Sequence, residues 1–191
     1  MLAGASQVVS AFGLSTSAGF NAYVPLLIVA LTARFTHLVK LRPPFDALTS
    51  WWVIGLLVVL LIVEVVADKV PLVDTANDTV QTIVRPAAGA ILFAASTNAI
   101  TEVHPVLAMV CGILLAGGVH AVKATARPVM TATTGGTLNP LVSTLEDVTA
   151  AVLSLLSLLV PFLVVVLLLA LVVALVLLWR RRTSPATASR G

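Results

Sequence analysis

At 191 residues the chain has the length of one domain, yet only 10% of it is charged and 59% is hydrophobic, where soluble domains carry about 25% charged residues. Its mean hydropathy is +1.10. So few polar side chains cannot cover a surface facing water, which excludes an ordinary soluble fold and points to lipid as the solvent.

The net charge of +3 and the pI near 9.6 look basic, but the cations do not form a nucleic-acid patch. Arg180, Arg181 and Arg182 directly follow an apolar run that ends at Trp179. That is the flank of a membrane span, which the positive-inside rule places in the cytoplasm. The bilayer is therefore the expected partner and nucleic acid is excluded. Cys111 is the single cysteine, so no intrachain disulfide forms and it reads as a small buried hydrophobe. The first 33 residues carry no charge; without a positive n-region, no cleaved signal peptide is expected.

A helix needs about 20 apolar residues to cross the hydrocarbon core. The first candidate lies within Ala18–Ala33, extended upstream by a weaker stretch of small and hydroxylated residues from Gly13 to Asn21. Pro25 predicts a break or kink there. A basic loop with Arg34, Lys40 and Arg42 follows. The second span starts at Trp51-Trp52, suited to the headgroup level, and runs to about Ala67. A polar segment covers Asp68 to Arg85. The third span is Pro86 to about Thr101, and Glu102–Pro105 makes a tight turn. The fourth is Val106 to Val122, followed by a second polar segment from Lys123 to Asp147. Val148 to Trp179 is a run of 32 uncharged residues, about 48 Å as helix, which predicts one long span kinked near Pro161.

The expectation is an all-α polytopic bundle of about five spans with two polar helical segments, re-entrant or interfacial. Residues 1–182 form a single transmembrane domain and 183–191 a disordered polar tail. Five spans place the Arg34/Lys40/Arg42 loop and the C-terminus in the cytoplasm, with the N-terminus outside. Five short spans make a thin wall around any pathway, which predicts a homo-oligomer.

Ionisable residues are costly inside a membrane, so each is a candidate for function. Glu64 lies about 20 Å along the helix from Trp51, inside the hydrocarbon or just under its boundary, and Asp68 is one turn further on the same face. The bland alternative is an interfacial Glu64 neutralised by Lys69. Between Asp68 and Arg85, Leu72, Ala76, Val80 and Ile83 fall on one helical face and Asp74, Asp78, Gln81 and Arg85 on another. This segment is an amphipathic helix that lies on the interface or dips into the protein. Lys123 and Arg127 are one turn apart, and Asn139, Ser143 and Glu146 or Asp147 recur at helical spacing. Asn77–Arg85 and Asn139–Asp147 share Asn, Val and Thr in register. Spans two-three and four-five then read as two hairpin repeats, and transporters often place a site where such repeats meet. The six carboxylates Glu64, Asp68, Asp74, Asp78, Glu146 and Asp147 face the cations Lys69, Arg85, Lys123 and Arg127. That set suits a cation or proton site, or a satisfied ion-pair network.

Phosphate-loop, His-Glu-x-x-His and Gly-x-Ser-x-Gly signatures are absent, so neither an enzyme nor a cofactor is expected. A divalent cation held by carboxylate oxygens stays open. His37, His104 and His120 read as structural.

The blocks Gly13–Leu27 (GLSTSAGFNAYVPLL), Glu64–Asp74 (EVVADKVPLVD), Arg85–Ala90 (RPAAGA) and Ser143–Asp147 (STLED) resemble a bacterial family of small multispan membrane proteins defined only as a domain of unknown function. The resemblance runs from roughly Ala11 to Asp147. It implies a multispan protein of the bacterial cytoplasmic membrane and supplies no activity. The reading of the residues is a small transporter or channel for an ion, proton or small solute. Glu64 and Asp68 bind or relay the ion, Arg85 and Lys123 set the local charge, and Asn21 with the broken first helix adds polar backbone. The alternatives are a non-transporting scaffold or accessory subunit, and a protein that handles anionic lipid through Arg85, Lys123 and Arg127.

Overall fold

The computed structural model describes residues 2–68, 71–97, 104–161, 163, 166, 169–170 and 172–174, with side chains from residue 4 onward except those of 71–76 and 78. Among the described residues the α-helices are, in order, α1 Leu2–Phe20, α2 Tyr23–Phe35, α3 Trp51–Ala67, α4 Pro71–Thr97, α5 Pro105–Thr134 and α6 Asn139–Leu159. A 3₁₀ turn, Phe45–Thr49, precedes α3. There is no strand among the described residues. The chain is all-helical, as its composition requires. Helices α5 and α6 are long and apolar enough to cross a membrane; α2 and α3 are apolar but shorter.

The centre of the bundle is α1. It packs against α4, α5 and α6, and its second half, with Ala11, Leu14, Ser15, Ser17 and Ala18, is buried nearly all round. Small residues and hydroxyls let three helices approach one backbone. The hydroxyls bond across: Ser15 Oγ to the Gly89 carbonyl (2.9 Å) and Ser17 Oγ to the Ala150 carbonyl (2.7 Å). The apolar side chains of α3 and α5 point outward, among them Leu56, Val59 and Ile62 and then Leu107, Leu114 and Val122. Polar groups are inside and large aliphatic groups outside, the inverse of a soluble bundle.

Three expectations need correction. The break in the first segment lies at Asn21-Ala22, between α1 and α2, and Pro25 sits in the first turn of α2, where its missing donor costs nothing. The chain also reverses there. Gln7 and Ser10 in the first half of α1 line one cavity with Leu38, Val39, Lys40 and Arg42, which follow the end of α2. Ala18–Ala33 is thus the apex of a helical hairpin rather than one span, and α1 begins at the same end of the bundle as the basic loop. That overturns the opposite-side placement of the N-terminus. Second, the polar segments are not separate from the spans. Helix α4 runs unbroken through Pro86, and α5 runs on past Lys123 and through Pro128. Third, α6 begins at Asn139 rather than Val148. The break expected near Pro161 occurs at Val160, with φ −140° and ψ 66°, the residue that the following proline pushes out of the helical region.

Lys69, Glu102, the Arg180–Arg182 cluster and the 183–191 tail lie outside the described residues, as do the side chains of Asp74 and Asp78.

Candidate functional site: a buried charge network at the helix break

Each long helix buries a stripe that is polar in one half and small in the other. In α5 it reads Ala108, Gly112, Ala116, then His120, Lys123, Arg127, spaced by three or four residues. In α6 it reads Asn139 and Ser143, then Ala150, Ser154 and Ser157. In α4 the buried residues Gln81 and Arg85 precede Ala88 and Leu92, while Val80 and Ile83 face outward. Gln81 and Arg85 of the amphipathic segment's polar face therefore turn into the protein. All the polar halves meet at one level of the bundle, where α1 stops.

The innermost pair is Glu64 of α3 with Arg85 of α4. Their side chains are 1% and 0% exposed, and Arg85 Nη2 donates to Glu64 Oε1 at 3.0 Å. Arg85 Nη1 lies 3.1 Å from His120 Nδ1 and donates to the Gly19 carbonyl at 3.4 Å. Thr82 Oγ1 bonds the other ring nitrogen of His120 at 3.1 Å. A second group surrounds Asp68. Asn77 donates to its Oδ1 at 2.8 Å, and Ser143 and Arg127 donate to its Oδ2 at 2.9 and 3.3 Å. Arg127 also reaches Glu146 (3.1 Å), whose Oε2 pairs with Lys123 at 2.6 Å.

The break itself supplies backbone groups. The last turn of a helix leaves carbonyls without partners. At the end of α1, Arg85 takes the Gly19 carbonyl and Lys123 takes that of Phe20 at 3.4 Å. Cations at a helix C-terminus also suit its dipole. Asn21 caps the other side: its Oδ1 accepts from Tyr23 N (2.9 Å) and Val24 N (3.0 Å), and its Nδ2 donates to Asp147 Oδ1 at 2.9 Å. One side chain thus holds the start of α2 and links the break to α6.

Seven of the nine predicted residues, Asn21, Glu64, Asp68, Arg85, Lys123, Glu146 and Asp147, are brought together; Asp74 and Asp78 fall on undescribed side chains. Arg127 pairs with both Asp68 and Glu146 and belongs to the site beside Lys123; its one-turn spacing from Lys123 is the signal in the sequence. His120 was read as structural but touches Arg85. The two carbonyls carry no sequence signal at all. No group of three or more His, Cys, Asp or Glu side chains positioned for a metal ion occurs among the described residues.

Among the described residues, Glu64 Oε2, Gln81 Oε1 and Arg85 Nε are buried polar atoms of this region with no hydrogen-bond partner. The network also grades outward, since Glu146 and Asp147 are half-buried.

A family model described as a domain of unknown function (DUF4126) matches residues 8–181. The chain belongs to the DUF4126 family. The match takes in every residue of the network and the last apolar stretch, beyond the blocks that suggested the resemblance. No curated protein and no solved structure matches the chain. The network is therefore interpreted from its own chemistry.

Proposed function

We propose that this chain is a small integral membrane transporter in which Glu64 takes up and releases a proton. The observation that carries the reading is Glu64 itself. One of its oxygens is held by Arg85, and the other is buried with no partner among the described residues. That oxygen accepts a proton without giving up any existing hydrogen bond. A metal ion would require several converging oxygens, which favours the proton over a divalent cation.

Two further features support it. Helices broken at membrane depth, with their free ends turned toward charged groups, are a recurring way of building transport sites. Ion pairs buried this deeply also contribute little net stability compared with apolar packing, so bundle stability alone is a weak reason to keep them. In this reading α3, α4, α5 and α6 cross the bilayer, and the α1–α2 hairpin enters from the side of Arg34, Lys40 and Arg42, the cytoplasm of a bacterial cell. The half-buried Glu146 and Asp147 connect the pair to the opposite face.

The test is proton uptake into proteoliposomes driven by a potassium diffusion potential and followed with an interior pH dye. Wild type should exceed protein-free vesicles, and Glu64→Gln should lower the protein-dependent rate at least about tenfold, or ~1.4 kcal/mol of barrier. Equal rates for the two proteins would sink the proposal.

The near-complete pairing of the network favours a second reading, a scaffold whose charges fix helix register. It predicts no protein-dependent uptake at all, together with loss of folded yield in Glu64→Gln.

A further inference from the structure

At the end of the bundle opposite the charge network lies a cavity of about 260 Å³ lined by Gln7, Ser10, His37, Leu38, Val39, Lys40, Arg42, Ala95, Ser96 and Leu158. We propose that it binds the phosphate-bearing headgroup of an anionic membrane lipid, with the phosphate against Lys40 and Arg42 and the glycerol end against Leu38 and Leu158.

The lining carries the argument. It holds two permanent cations and an imidazole, and none of the ten residues is acidic. An arginine beside a lysine suits phosphate, one as a planar fork and the other as a point charge. The amide of Gln7 and the hydroxyl of Ser96 add donors on the facing wall. Ser10 adds none, because its hydroxyl already donates to the Ser157 carbonyl at 2.6 Å. The volume holds several water molecules' worth of space, enough for a phosphate with its glycerol.

The position fits a lipid as well. Arg34 lies 4.1 Å over the ring of Trp51 at this same end, and Trp52 is 91% exposed, which is the aromatic belt of a headgroup region. The basic residues that place this end in the cytoplasm also face the leaflet that carries anionic lipid, where each Lys or Arg near the surface adds about 1 kcal/mol. An apolar floor beside a cationic wall matches an amphiphile better than it matches a free ion.

Native mass spectrometry of the full chain released from nanodiscs of equal phosphatidylglycerol and phosphatidylcholine tests it. Wild type should retain phosphatidylglycerol selectively. Lys40→Gln/Arg42→Gln should lower that retention by roughly 20- to 30-fold, from about 1 kcal/mol per charge. Ser96→Phe fills the cavity without changing any charge and should lower it comparably, while Arg34→Gln, outside the cavity, should lower it by no more than about fivefold, the general attraction of one surface charge. Loss in the double variant but not in Ser96→Phe would mean general surface attraction and overturn the site. Displacement of the retained lipid by inorganic phosphate at matched ionic strength would overturn the lipid assignment and make the free anion the ligand.

Discussion

Arg85→Met lowers the unfolding free energy by about 3–5 kcal/mol, the usual result of stripping one partner from a buried ion pair. Glu64 then sits 1% exposed without its ion-pair partner, and the Gly19 carbonyl and His120 Nδ1 lose the guanidinium they share. The double variant Arg85→Met/Glu64→Gln should be less destabilised than Arg85→Met alone, because a neutral amide leaves no bare charge behind. Reversible unfolding in mixed micelles, run as a double-mutant cycle, reads the coupling directly. A single-variant loss below about 1 kcal/mol would mean that the pair is not formed in the folded protein.

The second large effect lies where α4 meets α5. A Cβ added to Gly89 would fall 2.5 Å from both the Ala116 Cβ and the Gly112 carbonyl oxygen. No atom there is the tip of a flexible side chain, so the helices themselves must separate. Gly89→Ala is expected to destabilise by about 2–3 kcal/mol, in the range of an overpacked core. Gly118, two residues past Ala116 and on the exposed face of α5, has nothing within 4 Å of an added Cβ. Gly118→Ala should stabilise by about 0.5–1 kcal/mol through helix propensity alone. The same chemical change thus carries opposite signs at two positions, and thermal midpoints measured on both variants in one lipid preparation check it.

What the sequence revealed follows from which physical quantity it records. A charge inside an apolar stretch stands out, which makes Glu64 visible before any fold, and helical spacing within the two polar segments does the same for Arg85 and Lys123. Hydropathy, by contrast, records contact with lipid rather than burial. The apolar runs of α3 and α5 present much of their surface outward. The stretch of small and hydroxylated residues around Ser15 and Ser17 is the buried centre of the bundle. Reading spans from hydropathy therefore placed the first helix at Ala18–Ala33 and missed the reversal at Asn21-Ala22. Pro86 reads as the start of a span and Lys123 as the start of a separate polar segment, yet α4 runs unbroken through Pro86 and α5 through Lys123 and Pro128, since neighbouring helices can support the backbone that a proline frees. The Gly19 and Phe20 carbonyls became part of the site only through the break, and any residue at those positions would supply the same oxygen.

Proton exchange at Glu64 is measured most directly by difference infrared spectroscopy of the full chain in lipid nanodiscs, across a step from neutral to acidic pH. Wild type should gain a protonated-carboxyl band that is missing from Glu64→Gln, while the remaining carboxylate changes stay the same. Identical difference spectra for the two proteins would assign every titrating carboxylate elsewhere. Glu64 would then be a permanent partner of Arg85, and the transport reading of this site would be wrong.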